Sequence, residues 1–475
     1  MPDTSETFIE HDCGTRGAGD PAAFPRWHVL RHERTSEPGG ISQVNEGRNF
    51  RVITSEWERF GLSMSHCRES VSTVSLARPD PSPLHALTSA YRVIFSRELD
   101  LILACCGDDS NGELSARIQY ILREPNDLNW ERLLQLAEHH GLVPLVYRRL
   151  SMAMDANQFV WLETFRQQNQ INAHRTMGLT IELFNIHKHL AARRLEVLPY
   201  KGPALAQSLY GNIALRQFSD LDLLVRADDL PAIRSALAEL GYRPGLHLTQ
   251  AAERAYLKSG YEYTFDGAQG RNLIEIKWQI LPRFYSIGFD VEGLFERAVE
   301  VDVGGRRLRT LCDQDLMLVL CVHAAKHAWM QLSWLCEVVQ LARSRALDWP
   351  ALQAEAAGLG IVRIVAVSFL LAHKLLGAAL PSGLNLQADP AAETLAQRIL
   401  RRIVLNAEFD PESVSYFRLM TDLRERRRDR LSFQWRLSVT PGPGEWAAIR
   451  LPGPLFPIYR AVRMYRLAGR VVSSR

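Results

Sequence analysis

What the chain lacks narrows it first. No run of about 18 uninterrupted apolar residues occurs, the length a membrane-crossing helix needs. The nearest candidate, Ile361 to Leu380, is broken by Arg363, His373 and Lys374. The opening MPDTSETFIEHDCG lacks the basic start and apolar core of a signal peptide. Seven cysteines include the adjacent Cys105 and Cys106 but no C-x-x-C pair and no even framework, so reduced thiols in a cytoplasmic protein are expected. A strong charge is also missing: +3 over 475 residues gives no general case for nucleic acid, and no DNA binding is expected. Sustained periodicity is absent from the first 83 residues, where Gly, Pro, Ser and charge are scattered; residues 1–83 read as a disordered extension. The 47% hydrophobic content leaves ample material for a core in the remainder.

The stretch Leu195 to Val225, LEVLPYKGPALAQSLYGNIALRQFSDLDLLV, organises what is there. Its apolar start reaches Lys201-Gly202, where a residue without a Cβ lets the backbone turn sharply or approach a ligand. Pro203 suits a first helical position, and good helix formers continue to Tyr210 before Gly211 ends the run. Ser219 to Val225 then alternates polar and apolar, which predicts a strand carrying Asp220 and Asp222 on one face and Leu221 and Leu223 on the other. Two acids that close repel unless a cation sits between them, and Mg²⁺ held by carboxylates and substrate phosphates would answer that. A solvated strand end is the plainer alternative.

A third acid is available. Tyr261 to Phe265 and Asn272 to Ile280 are β-like runs around a loop of hairpin character. In the second run Glu275, Lys277 and Gln279 share a face, so Glu275 either joins the aspartates or belongs to an outward Glu–Lys surface.

Helical patterns flank this region. Asn129-Trp130, Leu133, Ala137 and Gly141-Leu142-Val143 recur in order and spacing as Asp348-Trp349, Leu352, Ala356 and Gly360-Ile361-Val362. Each set reads as an N-cap, a helix and a glycine stop, a helix–turn packing unit flanking the core. A helical segment beginning at Asp313 puts His323 and His327 on one face beside Lys326, with Glu337 two heptads beyond His323. Zinc-protease chemistry is excluded because Ala324 stands where H-E-x-x-H needs its general base. Trp329 and Trp334 read as packing residues. Arg424 to Arg475 holds twelve Arg and three acids, a local charge of +9. A basic amphipathic tail can bind an anionic membrane, RNA or an acidic surface of its own protein, and docking back onto the acidic remainder of the chain is expected over a membrane or RNA surface.

The glycine turn, short helix, D-x-D strand and later carboxylate strand resemble the polymerase-beta-like nucleotidyltransferase superfamily. The wording K-G-x-A-L-A-x-x-L-Y-G ending in F-S-D-L-D-L-L-V is similar to its bacterial nucleotidyltransferase family branch, often associated with natural-product and surface-polysaccharide gene clusters. The resemblance implies an α+β fold, a small mixed sheet embedded in a mainly helical chain. It also implies Asp220, Asp222 and Glu275 as ligands of one or two Mg²⁺ ions and as the catalytic acids. Lys201, Gly202, Arg216 and Ser219 would line the phosphates of an NTP substrate, with Lys277, His323, Lys326 and His327 as further nucleotide contacts. Glu337 stands where that branch more often has Asp, Lys277 where it often has His, and Pro203 where the superfamily usually has Ser or Gly. The expected layout is a helical domain over 84–190, the nucleotidyltransferase core over 191–303, a second helical domain over 304–420 and the basic tail over 421–475. The expected activity is transfer of a nucleoside monophosphate to a small-molecule, sugar or peptide acceptor; the alternative is a non-catalytic nucleotide- or partner-binding module on the same fold.

Overall fold

The computed structural model describes residues 95–473, apart from 108–111, 124–127, 155–158, 268–272, 387–388, 408–409, 411–412 and 450. The expectation of disorder over 1–83 lies outside the described residues. The fold is α+β: a small mixed sheet set in a mainly helical chain. No described helix is long and apolar enough to cross a membrane.

Five strands form the main sheet: β1 (Leu198–Pro199), β2 (Asp220–Leu224), β3 (Arg243–Pro244), β4 (Glu262–Asp266) and β5 (Leu273–Lys277), in the order β1-β2-β5-β4-β3. β2 runs parallel to β5, and the other pairs are antiparallel. A separate hairpin joins β6 (Val299–Val303) and β7 (Arg306–Thr310). Strand alternation sorts the sheet by polarity. Leu221, Leu223, Ile274, Ile276, Tyr263 and Phe265 enter a buried cluster with Leu183, Ile186 and Leu190 of the Phe159–Ala191 helix. The other face is left to Asp220, Asp222, Glu275 and Lys277.

The apolar run Leu195 to Tyr200 yields only the two-residue β1, because Pro199 has no N–H to extend a ladder. Lys201 follows, then the Gly202–Tyr210 helix. Gly202 itself has φ +57°, a left-handed conformation that a Cβ would strain, so the turn into the helix requires glycine. The loop back to β2 is pinned from two helices. Gln217 accepts from the Val143 N–H at 2.9 Å, and Asn172 Nδ2 donates to the Ala214 carbonyl at 2.9 Å.

The repeated helix–turn signature gives two matching corners. Asn129 caps the Arg132 N–H and Asp348 the Ala351 N–H, each at 2.9 Å. Gly141 and Gly360 then turn with φ near +70° (68° and 70°) into the helices Val143–Ala153 and Val362–Leu376.

One helical expectation needs correction. The segment from Asp313 is two helices, Asp313–Lys326 and Leu332–Ser344. Between them Ala328 and Trp329 take positive φ (52° and 54°), and the Trp329 N–H closes the first helix on the Ala324 carbonyl at 2.7 Å. Trp329 is fully buried and its indole donates to Ser368 Oγ at 3.0 Å. Burying that ring outweighs the left-handed backbone it requires. Heptad counting from His323 to Glu337 therefore fails.

The tail forms helices Arg427–Val439, Pro443–Ala448 and Ile458–Ser473. Phe433, Leu437, Trp446 and Tyr459 anchor it by burial. Its arginines largely meet carbonyls, Arg430 at Arg424 O and Arg463 at Leu437 O among them. The carboxylate nearest Arg463 and Arg466 is the tail's own Glu445.

Candidate active site

The register of β2 on β5 decides the geometry. Asp222 lies opposite Glu275, so two carboxylates distant in sequence project from adjacent strands on one face. One ligand oxygen from each of Asp220, Asp222 and Glu275 lies within 4.8 Å of the others. Asp222 is buried, whereas Asp220 and Glu275 are half-buried.

Two lysines enter this group. Lys277 Nζ contacts Asp222 Oδ1, lies 2.6 Å from Glu275 Oε2 and reaches Glu262 Oε2 at 3.7 Å. Lys201 Nζ lies 3.4 Å from Asp222 Oδ2 and 3.1 Å from His323 Nδ1. Among the described residues no cation comes within ion-pair distance of Asp220.

Electrostatics follow from this uneven sharing. Burial would raise the Asp222 carboxyl, but the ammoniums of Lys201 and Lys277 outweigh it and hold it far below the usual range. Asp220 is pushed up by burial and by Asp222. Glu275 is also pushed up, by burial first and then by Asp222 and Glu262, against the pull of Lys277. Burial brings Lys201 down to about 8, with Asp222 opposing. His323 is held well below its usual value by burial and by the Lys201 charge. Four carboxylates, Asp220, Asp222, Glu262 and Glu275, thus face three ammoniums: Lys201, Lys277 and, one phenol away from Glu262, Lys326. The formal surplus is one negative charge, which favours a bound cation. An all-oxygen donor set of this kind fits a hard cation such as Mg²⁺.

The other sequence candidates spread around this centre. Gly202 forms the turn beside it, and its missing Cβ would stand 3.6 Å from the Asp220 carbonyl. Ser219 is exposed immediately before β2. Arg216 and Glu337 do not face the triad as a free pair of groups; they are buried against each other, Nε to Oε1 at 2.8 Å. His323 and His327 have ring centroids 4.8 Å apart, and Trp334 packs on both at 5.3 and 5.0 Å. Lys326 Nζ donates to the Tyr261 hydroxyl at 3.3 Å and lies over that ring.

Glu262 and Tyr261 were not singled out from sequence. The Tyr261 hydroxyl donates to Glu262 Oε1, and Glu262 pairs in register with Lys277. The available signal was period-two alternation in β4, which puts Glu262 and Thr264 on the face shared with Glu275 and Lys277; using it required the antiparallel register.

Residues 126–377, more than half of the chain, match the model of a family described as an uncharacterised nucleotidyltransferase. No curated protein and no solved structure matches the chain.

Proposed function

The chain belongs to this uncharacterised nucleotidyltransferase family, and from that premise we propose that it is a metal-dependent nucleotidyltransferase moving a nucleoside monophosphate from an NTP to an acceptor hydroxyl or phosphate. The observation that carries the reading is the convergence of Asp220, Asp222 and Glu275 on one sheet face with a surplus of negative charge. These three would hold the cation. A bound Mg²⁺ supplies Lewis-acid neutralisation of phosphate charge. In the reaction an acceptor oxygen bonds to the α-phosphorus, the bond from that phosphorus to the bridging oxygen breaks, and pyrophosphate leaves with the bond's electrons.

The chain's own groups have distinct parts in this scheme. Lys201, beside Asp222 and ahead of the Gly202 turn, orients the triphosphate. Lys326 faces its charge from the end of the Asp313–Lys326 helix. Glu262, held beside Glu275 by the Lys277 ammonium, takes the proton released by an acceptor hydroxyl. Arg216, buried on Glu337, fixes the loop leading into β2 and acts by positioning.

Incubation of full-length protein with each labelled NTP, Mg²⁺ and candidate acceptors tests the proposal. Pyrophosphate release that falls about 100-fold or more in Asp222→Asn supports it, the order of loss when a charge-stabilising group is removed. A second reading has its own observation: Lys277 already bridges Asp222 and Glu275, as a binding module that needs no cation would have it. Tight NTP binding with no release under any condition would favour that module.

A further inference from the structure

A cavity of about 380 Å³ lies at the β4 side of the site, one ion pair removed from the triad. Glu262 and Lys326 form its near wall, and Glu262 connects through Lys277 to Asp222 and Glu275. Its far wall comes from residues beyond the family match, which ends at residue 377: Tyr416, Phe417, Thr440, Glu445, Arg463 and Arg466. The two walls are tied together, since the Tyr416 hydroxyl donates to the Lys326 carbonyl at 2.5 Å.

We infer that this cavity binds the acceptor, a compact ring-bearing molecule with a nucleophilic oxygen toward Glu262 and an anionic group toward Arg466. The inference rests on the transferase reading for the word acceptor; the cavity's ligand chemistry stands on its lining. Tyr261, Phe284, Tyr285, Tyr416 and Phe417 all contribute to that lining. Phe284 and Tyr285 are held rigid, stacked at 4.6 Å between centroids with the Arg463 guanidinium 6.0 Å over Phe284. A cavity edged by aromatic side chains suits a ring body.

Charge then orients the ligand. At the far end Arg463 and Arg466 both lean on a single oxygen, Glu445 Oε1, each at 3.4 Å. Two guanidiniums on one carboxylate leave one positive charge unbalanced, and Arg466 is the more exposed of the two, 34% against 10% for its side chain. A carboxylate or phosphate on the ligand would complete that set. At the near end the Lys326 ammonium meets a neutral phenol at 3.3 Å, with no carboxylate in ion-pair distance among the described residues. It is left to face the phosphate being transferred. Because the far wall lies beyond the matched region, acceptor choice is written in the C-terminal segment of this chain.

Calorimetry on the full chain, without NTP or Mg²⁺, tests the cavity with three probes: phenyl phosphate, benzoate and benzyl alcohol. The anions should saturate and benzyl alcohol should bind at least about tenfold more weakly, the size of one charge-assisted hydrogen bond. The tighter anion tells whether the natural group is phosphate or carboxylate. Arg466→Gln, which removes the surplus charge, and Thr440→Trp, which fills the space, should each weaken phenyl phosphate about tenfold or more with labelled-NTP binding retained. Equal binding of benzyl alcohol, no saturation by either anion, or variants that bind like the wild type would overturn the assignment. Probe binding that behaves as stated while pyrophosphate release is absent would sink the transferase reading and leave the cavity standing.

Discussion

Two charged clusters lie close together in this protein and are built on opposite terms. Arg216 and Glu337 are one charge against one, hydrogen-bonded at 2.8 Å and both buried. On the sheet face, four carboxylates face three ammoniums, and Asp220 has no cation partner within ion-pair distance among the described residues. A balanced buried pair holds structure, because removing either partner strands the other in low dielectric. An unbalanced cluster stores repulsion that a ligand can relieve, which is how perturbed carboxylates come to mark working sites. The difference teaches that charge count, more than charge burial, separates support from chemistry here.

That comparison can be broken by substitution. The largest effect is expected at Glu337→Ala, which leaves the Arg216 guanidinium buried alone and should cost about 3–5 kcal/mol of stability by chemical denaturation. A cost below about 1 kcal/mol would mean that the pair is not structural. Asp220→Asn should do the opposite, leaving the melting temperature unchanged or higher, because it removes a carboxylate that burial and Asp222 disfavour. Mg²⁺ at ten times its Kd should stabilise the wild type by about 1.4 kcal/mol, and Asp220→Asn should lose that gain. A cation response that persists in the variant would place the ion elsewhere.

Lys277→Met sharpens the same contrast. With the bridging ammonium gone, Asp222 and Glu275 are released to a cation, and Mg²⁺ should bind about fivefold more tightly, ~1 kcal/mol. Weaker binding would mean that the lysine organises the carboxylates rather than competing for them. The smallest effect concerns His140, a buried imidazole outside both clusters, which burial and then neighbouring His139 hold at about 4. Between pH 6.5 and 4 the unfolded chain binds a proton that the folded chain refuses, so stability falls as pH falls. The loss should be about 1 kcal/mol from pH 7 to 5.5, and His140→Asn should flatten that part of the denaturation profile.

Much of the local structure was legible in the chain. The caps at Asn129 and Asp348 and the glycine stops at Gly141 and Gly360 were readable because caps and left-handed turns are decided within a few residues. The helix break at Ala328 and Trp329 was not, since it depends on where a buried indole finds Ser368, 39 residues away. The site divides in the same way. Asp220 and Asp222 share a strand face by period alone. The partnership of Lys277 with Asp222, and of Arg216 with Glu337 across 121 residues, leaves no trace in spacing. Nor does Glu262, whose place beside Lys277 comes from an antiparallel register.

What the sequence determined by itself is therefore the short-range part: which residues turn, which cap, and which acids project from one side of a strand. These follow from backbone sterics and side-chain periodicity acting over a handful of residues. The tertiary structure alone decided that β2 would lie parallel to β5 with Asp222 opposite Glu275, that a lysine would divide the carboxylates, and that a segment beyond residue 377 would close a cavity beside them. Strand register and wall-to-wall packing are settled by burying apolar faces contributed from far along the chain, and no local pattern carries that information.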